Sequence, residues 1–241
     1  HQAPYTGYLR IGSGRTVIIM DAGSPTSTRS DSETRTGSGT LGFEMSVGTN
    51  QIIVNPGQMM SDPTMYRIML STAAHSTLGL DNHNSSSLRE NRVANISGVE
   101  VGEATGGTLA VASHDGFDSS HGILHHRKLY LRTGGANLRG SDVLEYNGAP
   151  GEIPQLATVR FHLHPRVSAA TLPNGAVLMK IRGSRTGWTM KAAGASVEID
   201  NSVYFEDGVR QACQQIILKA TISEIRTLGA YEIKWAFNRS A

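Results

Sequence analysis

Nine histidines and one cysteine are the residues of this sequence with chemistry near neutral pH. With Cys213 alone, an intrachain disulfide and a multi-cysteine metal site are both excluded. It lies in the segment Cys213–Leu218, which ends in the apolar Ile216-Ile217-Leu218, and reads as a buried, inert thiol. His75, beside Ser76 and Thr77 on an apolar-flanked segment, is either a binding residue or a half-buried imidazole bonded to a backbone carbonyl. His114 has a carboxylate next to it in Ser113-His114-Asp115-Gly116, which could be a functional pair or a strand-ending Asx-turn. His125, His126 and Arg127 form a basic cluster that could face an acidic glycan, or simply be a solvated strand face. His162 and His164 stand two apart with Arg160, as two metal ligands on one strand would. No carboxylate or third histidine lies near them in sequence, so a polar outer face is the plainer reading. Trp188 and Tyr204 could stack on sugar rings or pack within the sheets.

Elements that hold such residues are legible as period-two alternation. Leu41, Phe43, Met45 and Val47 share one strand face, as do Val159, Phe161 and Leu163. Val177, Met179 and Ile181 repeat the pattern, followed by Ile216, Leu218, Ala220 and Ile222, then Tyr231, Ile233, Trp235 and Phe237. Turn signals separate these runs: Gly134-Gly135, Pro173-Asn174-Gly175 and Asp207-Gly208. Strands with one apolar face need a second sheet over them, so an all-β, antiparallel β-sandwich over residues 1–241 is expected, with at most one or two short helices. Asp62-Pro63 with Met65, Ile68 and Met69 predicts one of these, capped by the aspartate. The Ser/Thr/Arg-rich stretch 23–39 reads as a mobile loop, and 147–154, rich in Pro and Gly, as an internal joint.

Composition agrees with many short strands: 27 glycines, 39% hydrophobic and only 6% aromatic residues. A net charge of +2 gives no case for nucleic acid or a membrane surface, and no run reaches the roughly 18 apolar residues of a span. Seventeen arginines stand against five lysines, a bias that suits carboxylate and sulfate oxygens and that genome composition also produces. The chain opens at His1 without a signal peptide, which reads as a trimmed or processed piece of something longer.

Several segments in order carry a resemblance. They are Gly14–Gly23, Gly39–Ser46, Ile53-Val54-Asn55-Pro56-Gly57, and Ala73-Ala74-His75-Ser76-Thr77 with Asp81 and Asn84-Ser85-Ser86. Ala112–Phe117, His126–Leu131, Leu138–Asp142, Val159–Pro165 and Ser202–Phe205 follow. Together they resemble the C-terminal β domain of heparinase II/III-type polysaccharide lyases. That resemblance implies an N-terminal α/α toroid beside this domain, with a cleft between them, and β-elimination of uronic-acid glycans such as heparin, heparan sulfate or alginate. The reaction needs a donor or cation on the carboxylate, a base for the C5 proton and an acid for the leaving oxygen. In the family the Tyr, the Asn and one His come largely from the toroid, so this chain is expected to be inactive by itself.

Metal-bearing relatives hold zinc at three β-domain positions. Here these map to His75, to Asn55 in place of Asp, and to about Gly37 in place of His. Zinc requires three or four N, S or carboxylate donors, so no zinc or other cofactor is expected. Asn55, His75, His114 and Arg127 remain as candidate substrate-binding residues. The expected partners are an acidic polysaccharide, the toroid, and further copies of the chain, in a periplasmic or extracellular setting. The alternative is a non-catalytic glycan-binding or self-assembling structural domain.

Overall fold

The structure is a computed structural model and describes residues 6–23, 37–57, 62–87, 92–149 and 151–240. Most of the loop expected at 23–39 lies outside the described residues. Sixteen strands are present among those described. The first eight are β1 (Tyr8–Ser13), β2 (Thr16–Asp21), β3 (Phe43–Val47), β4 (Asn50–Val54), β5 (Leu78–Leu80), β6 (Ile96–Ala104), β7 (Gly107–Phe117) and β8 (Ile123–Arg132). The rest are β9 (Asn137–Tyr146), β10 (Leu156–Leu163), β11 (Val167–Thr171), β12 (Val177–Ile181), β13 (Gly187–Ala193), β14 (Ser196–Glu206), β15 (Val209–Thr221) and β16 (Ala230–Ser240).

They form two antiparallel sheets of eight strands, the expected sandwich. The first runs β1-β2-β3-β4-β10-β15-β14, with β5 also paired to β10. The second runs β11-β12-β13-β16-β9-β8-β7-β6. Segment 147–154, read from sequence as a joint, connects β9 of the second sheet to β10 of the first. Asp207 and Gly208, both at positive φ (51° and 76°), turn β14 into β15. Such a two-residue turn matches the twist of the strands it joins.

Alternating side chains from both sheets meet in one core. Phe43 of the first sheet stacks on Trp235 of the second, ring centroids 5.4 Å apart. Phe161 meets Trp235 edge-on at 4.9 Å and Phe237 at 5.2 Å. Trp188 is fully buried and belongs to this core. Cys213 is only half-buried, and burial raises its thiol pKa.

Three short α-helices and one 3₁₀ turn (Thr72–Ala74) are described, more than the one or two short helices expected. In α1 (Pro63–Met69), Asp62 Oδ1 accepts from the N–H groups of Thr64 (2.9 Å) and Met65 (3.1 Å), with proline in the first turn. The other two, α2 (Asp118–His121) and α3 (Ile225–Leu228), are single turns between strands, too short to show helical periodicity.

Two expectations about strand faces are corrected. His162 and His164 were assigned to a polar outer face, yet they are only 5% and 8% exposed. Residues 72–77 pack over that side of β10: His162 N–H donates to Ser76 Oγ (3.0 Å) and its Nε2 bonds Ala73 O (3.1 Å). On β8, His126 faces outward as expected, whereas His125 and Arg127 point inward with Leu129 and Leu131 and are fully buried.

Candidate functional site

Asn55 follows β4, and its partner Ser76 is the neighbour of His75. The Asn55 Oδ1 accepts the N–H of Ser76 (3.0 Å), while its Nδ2 reaches Glu44 Oε1 (3.3 Å). His75 Nδ1 bonds Ser71 O (2.8 Å), which makes that nitrogen the donor. Its ring lies flat against Gly39, where a Cβ would fall 2.4 Å from the imidazole. Burial keeps the His75 pKa below the ordinary imidazole range, and the Ser71 carbonyl offsets this in part. Both side chains are thus tied to backbone rather than presented as a free pair. Gly37 has no side chain to offer. An amide, a single imidazole and a glycine do not make a zinc site, so the metal of the metal-bearing relatives does not fit these three positions.

His114 and Arg127 were candidates for contact with a glycan, and the structure corrects this placement: both are sealed inside the sandwich. They belong to a buried relay built on β7, β8, β9 and β16. The N–H of Gly116 can only donate, so His114 Nδ1 (3.0 Å away) must accept. A neutral His114 then carries its proton on Nε2 and gives it to His125 Nδ1 (3.0 Å). His125 in turn donates Nε2–H to Asp142 Oδ1 (2.8 Å). The same oxygen takes Arg127 Nε–H (2.7 Å), and Asp142 Oδ2 takes Trp235 Nε1–H (2.8 Å).

Arg127 carries the relay across to the other sheet, its NH1 donating to Leu41 O (2.7 Å) and Ser76 O (3.0 Å). Burial alone would raise the Asp142 pKa, but the Arg127 charge and the His125 hydrogen bond outweigh it and hold the carboxyl well below its usual range. Burial first, then the unfavourable cost of a second proton beside His125 and the Arg127 charge, push His114 well below the imidazole range. The group is thus one buried ion pair with two neutral histidines. It can orient and fasten the sheets, and it has no open face for substrate. Sequence reading had no signal for it, because Asp142 lies 15 residues from Arg127 and 17 from His125.

A concave face that solvent does reach lies on the outside of the second sheet. Strand register puts Tyr130, Arg139, Ala236 and Lys191 in one cross-strand row. Lys128, Ser141, Lys234 and Ala193 form the next row. Small residues and the aliphatic stems of long ones, Glu232 as well as the four basic residues, line an open and mainly apolar groove of about 490 Å³. Gly140 is required there, since a Cβ would lie 2.2 Å from the Trp235 ring beneath it. Lys234 is paired with Glu232 (3.0 Å), and Arg139 Nε–H donates to Asn137 Oδ1 (3.0 Å). Tyr130 is half-buried, its hydroxyl donating to Thr105 O (2.8 Å), which fixes the ring at the groove wall. The signal missed in the sequence was Lys128, Arg139, Lys191 and Lys234 lying on the same outward register of four strands.

Comparison with known proteins gives a consistent picture. The family model described as "Heparinase II/III-like, C-terminal" matches residues 1–236. FtsZ-localized protein C of Caulobacter vibrioides is 28% identical over 99% of this chain, which spans 43% of that protein. A heparan sulfate lyase structure from Pedobacter heparinus superposes with a TM-score of 0.73 at 12% identity, over 97% of this chain and 35% of that one. A heparinase III with methylated lysines gives the same score and identity, over 98% of this chain and 34% of that one. At 12% identity the likeness to the lyases concerns the fold. The chain spans less than half the length of each of these three proteins.

Proposed function

Because the chain belongs to the heparinase II/III-like C-terminal family, we propose that its 241 residues bind an acidic polysaccharide without cleaving it by themselves. The observation that carries this reading is the outer groove, whose mainly apolar surface takes in Tyr130 and the stems of Lys128, Arg139, Lys191 and Lys234, with Glu232 paired to Lys234. Three lysines and an arginine around one groove suit the carboxylates or sulfates of a uronic-acid chain, and the tyrosine ring offers a face for a sugar. The histidines with catalytic potential support the second half of the reading. The His75 ring is packed against Gly39 and its pKa is lowered by burial, and His114 and His125 are spent inside the relay. A base and an acid on opposite sides of a glycosidic bond would have to come from elements beyond these side chains.

The test is calorimetric titration with heparin and with alginate at low and moderate salt, alongside an assay for unsaturated uronate. Saturable binding that weakens with salt is expected, together with no rise in ultraviolet absorbance. Replacing Lys128 and Lys191 by glutamate should weaken binding at least about tenfold, as two reversed charges facing an anion would. Binding unchanged in that variant, or steady product formation by the chain, would overturn the proposal.

A second reading rests on the relative named FtsZ-localized protein C, which aligns over nearly the whole chain. On that reading the domain contributes to a protein assembly that includes FtsZ. Co-sedimentation with FtsZ polymers, unaffected by heparin, would favour it over the glycan.

A further inference from the structure

At one end of the sandwich, three segments distant in sequence bring His83, His121 and Glu152 together. His83 lies in the turn after β5, where its N–H donates to Leu80 O (2.8 Å) and Asp81 adopts positive φ (47°). His121 ends α2, and Gly122 at φ 67° closes that turn with its N–H on Asp118 O. Glu152 is on the crossover from β9 to β10, its N–H donating to Ser120 O (2.9 Å). Gly151 lets the crossover press against α2, since a Cβ there would lie 2.6 Å from the Ser120 carbonyl.

The two imidazoles meet edge to face, centroids 4.8 Å apart. His121 is 1% exposed, and neither its Nε2 nor the buried Nδ1 of His83 has a hydrogen-bond partner. Buried polar atoms without a partner are uncommon, and two on adjoining rings point to a missing shared partner. One ligand atom from each of His83, His121 and Glu152 lies within 4.8 Å of the other two. Asp81 Oδ2 stands 3.9 Å from His121 Nε2, while Asp81 Oδ1 is held by the N–H groups of Leu156 (2.9 Å) and Gln155 (3.2 Å).

We propose that His83, His121 and Glu152 bind a divalent transition metal of the zinc class, with solvent or Asp81 in the fourth position. Two imidazoles and a carboxylate are a zinc, cobalt or nickel donor set, and a poor one for magnesium or calcium, which prefer oxygen alone. Tetrahedral donors about 2.1 Å from an ion stand about 3.4 Å apart, so the three must close by an ångström or so. Glu152 is exposed and has the rotamer freedom to move inward. His121 Nδ1 is bonded to Ser120 Oγ (2.8 Å), an outer contact of the kind that fixes a ligating ring. Asp81 and Glu152 bring two negative charges near the site, against the positive charge of Arg92.

The ion would clamp a turn of the first sheet, a helical turn of the second and the crossover between them. This differs from the expectation of no cofactor, which was argued from Gly37, Asn55 and His75. The present site uses none of those residues.

The chain, stripped with chelator, is titrated with zinc by calorimetry and with cobalt by visible absorption. About one equivalent of each is expected, with tetrahedral cobalt bands and a rise in Tm on loading. His83→Gln and Glu152→Gln, both away from the packed core, should each weaken binding at least tenfold while folding normally. His75→Gln should leave it unchanged. No saturable uptake by the unsubstituted chain would overturn the site. So would uptake that survives both substitutions, or uptake lost in His75→Gln.

Discussion

Arg127→Met is the most informative single change. Methionine fills most of the arginine's volume, so the packing loss is small and the measured effect is that of the charge. Three hydrogen bonds disappear: Arg127 Nε to Asp142 Oδ1 (2.7 Å), and NH1 to Leu41 O (2.7 Å) and Ser76 O (3.0 Å). Asp142, with a fully buried side chain, keeps only His125 and Trp235 as donors. Removing one partner of a fully buried, hydrogen-bonded ion pair typically costs about 3–5 kcal/mol. In a chain of this size, where each kcal/mol shifts Tm by about 2–4 °C, that is a fall of roughly 6–20 °C. Urea unfolding at pH 7 measures it directly. Asp142→Asn in the Arg127→Met background should cost less than the two single changes summed, because the second substitution removes the stranded charge. A coupling of about 0.5–3 kcal/mol is expected. If Arg127→Met costs under about 1 kcal/mol, or the two changes add, the ion pair does not fasten the sheets as argued.

Stability should also fall as the solution is acidified from pH 6.5. Burial, partly offset by the Ala73 hydrogen bond, lowers the His162 pKa from 6.5 to about 4. Below 6.5 the unfolded chain therefore binds a proton that the folded one refuses. Stability is fully present above that value and is lost as pH falls toward 4, by about 3 kcal/mol for this residue alone. His162→Gln should flatten that part of a stability–pH curve, and an unchanged slope would count against the assignment. Gly140→Ala places a Cβ 2.2 Å from the Trp235 ring and should cost about 1–3 kcal/mol, with altered tryptophan fluorescence. A variant as stable as the parent would show that the indole moves freely. Far-ultraviolet circular dichroism should show strand rather than a helical double minimum.

Alternation made most of the fold legible. The runs at 41–47, 159–163, 177–181, 216–222 and 231–237 fall on β3, β10, β12, β15 and β16, with their apolar members in the core. Asp62-Pro63 marked the start of α1 because the cap and the first-turn proline are local in sequence. Period two shows which residues share a face and is silent on what covers the opposite one. The burial of His162 therefore depends on residues 72–77, and that of His164 on the Tyr204 ring beside it, neither of which anything in β10 announces. Arg127 was misplaced for a related reason. A charged residue at an inward position is acceptable only when its partner is present, and Asp142 becomes its partner only once β8 and β9 pair. The groove and the His83–His121–Glu152 cluster likewise arise from register and turns that bring together residues far apart in sequence.

The relay has a consequence for how fast the domain assembles and comes apart. Its members come from positions 41, 76, 114, 125, 127, 142 and 235, so no contiguous stretch of chain holds more than a fraction of it. Until the sheets dock, Arg127 cannot reach the carbonyls of Leu41 and Ser76. In a half-built sandwich its charge must stay hydrated, which keeps the faces apart. Water has to leave Arg127 and Asp142 at the same moment that the cross-sheet bonds form. That places a desolvation barrier late on the folding path, on top of the slow closure expected of distant strand pairings. Because the bonds are absent before that barrier, they lengthen the lifetime of the folded domain by slowing its opening rather than by speeding its formation.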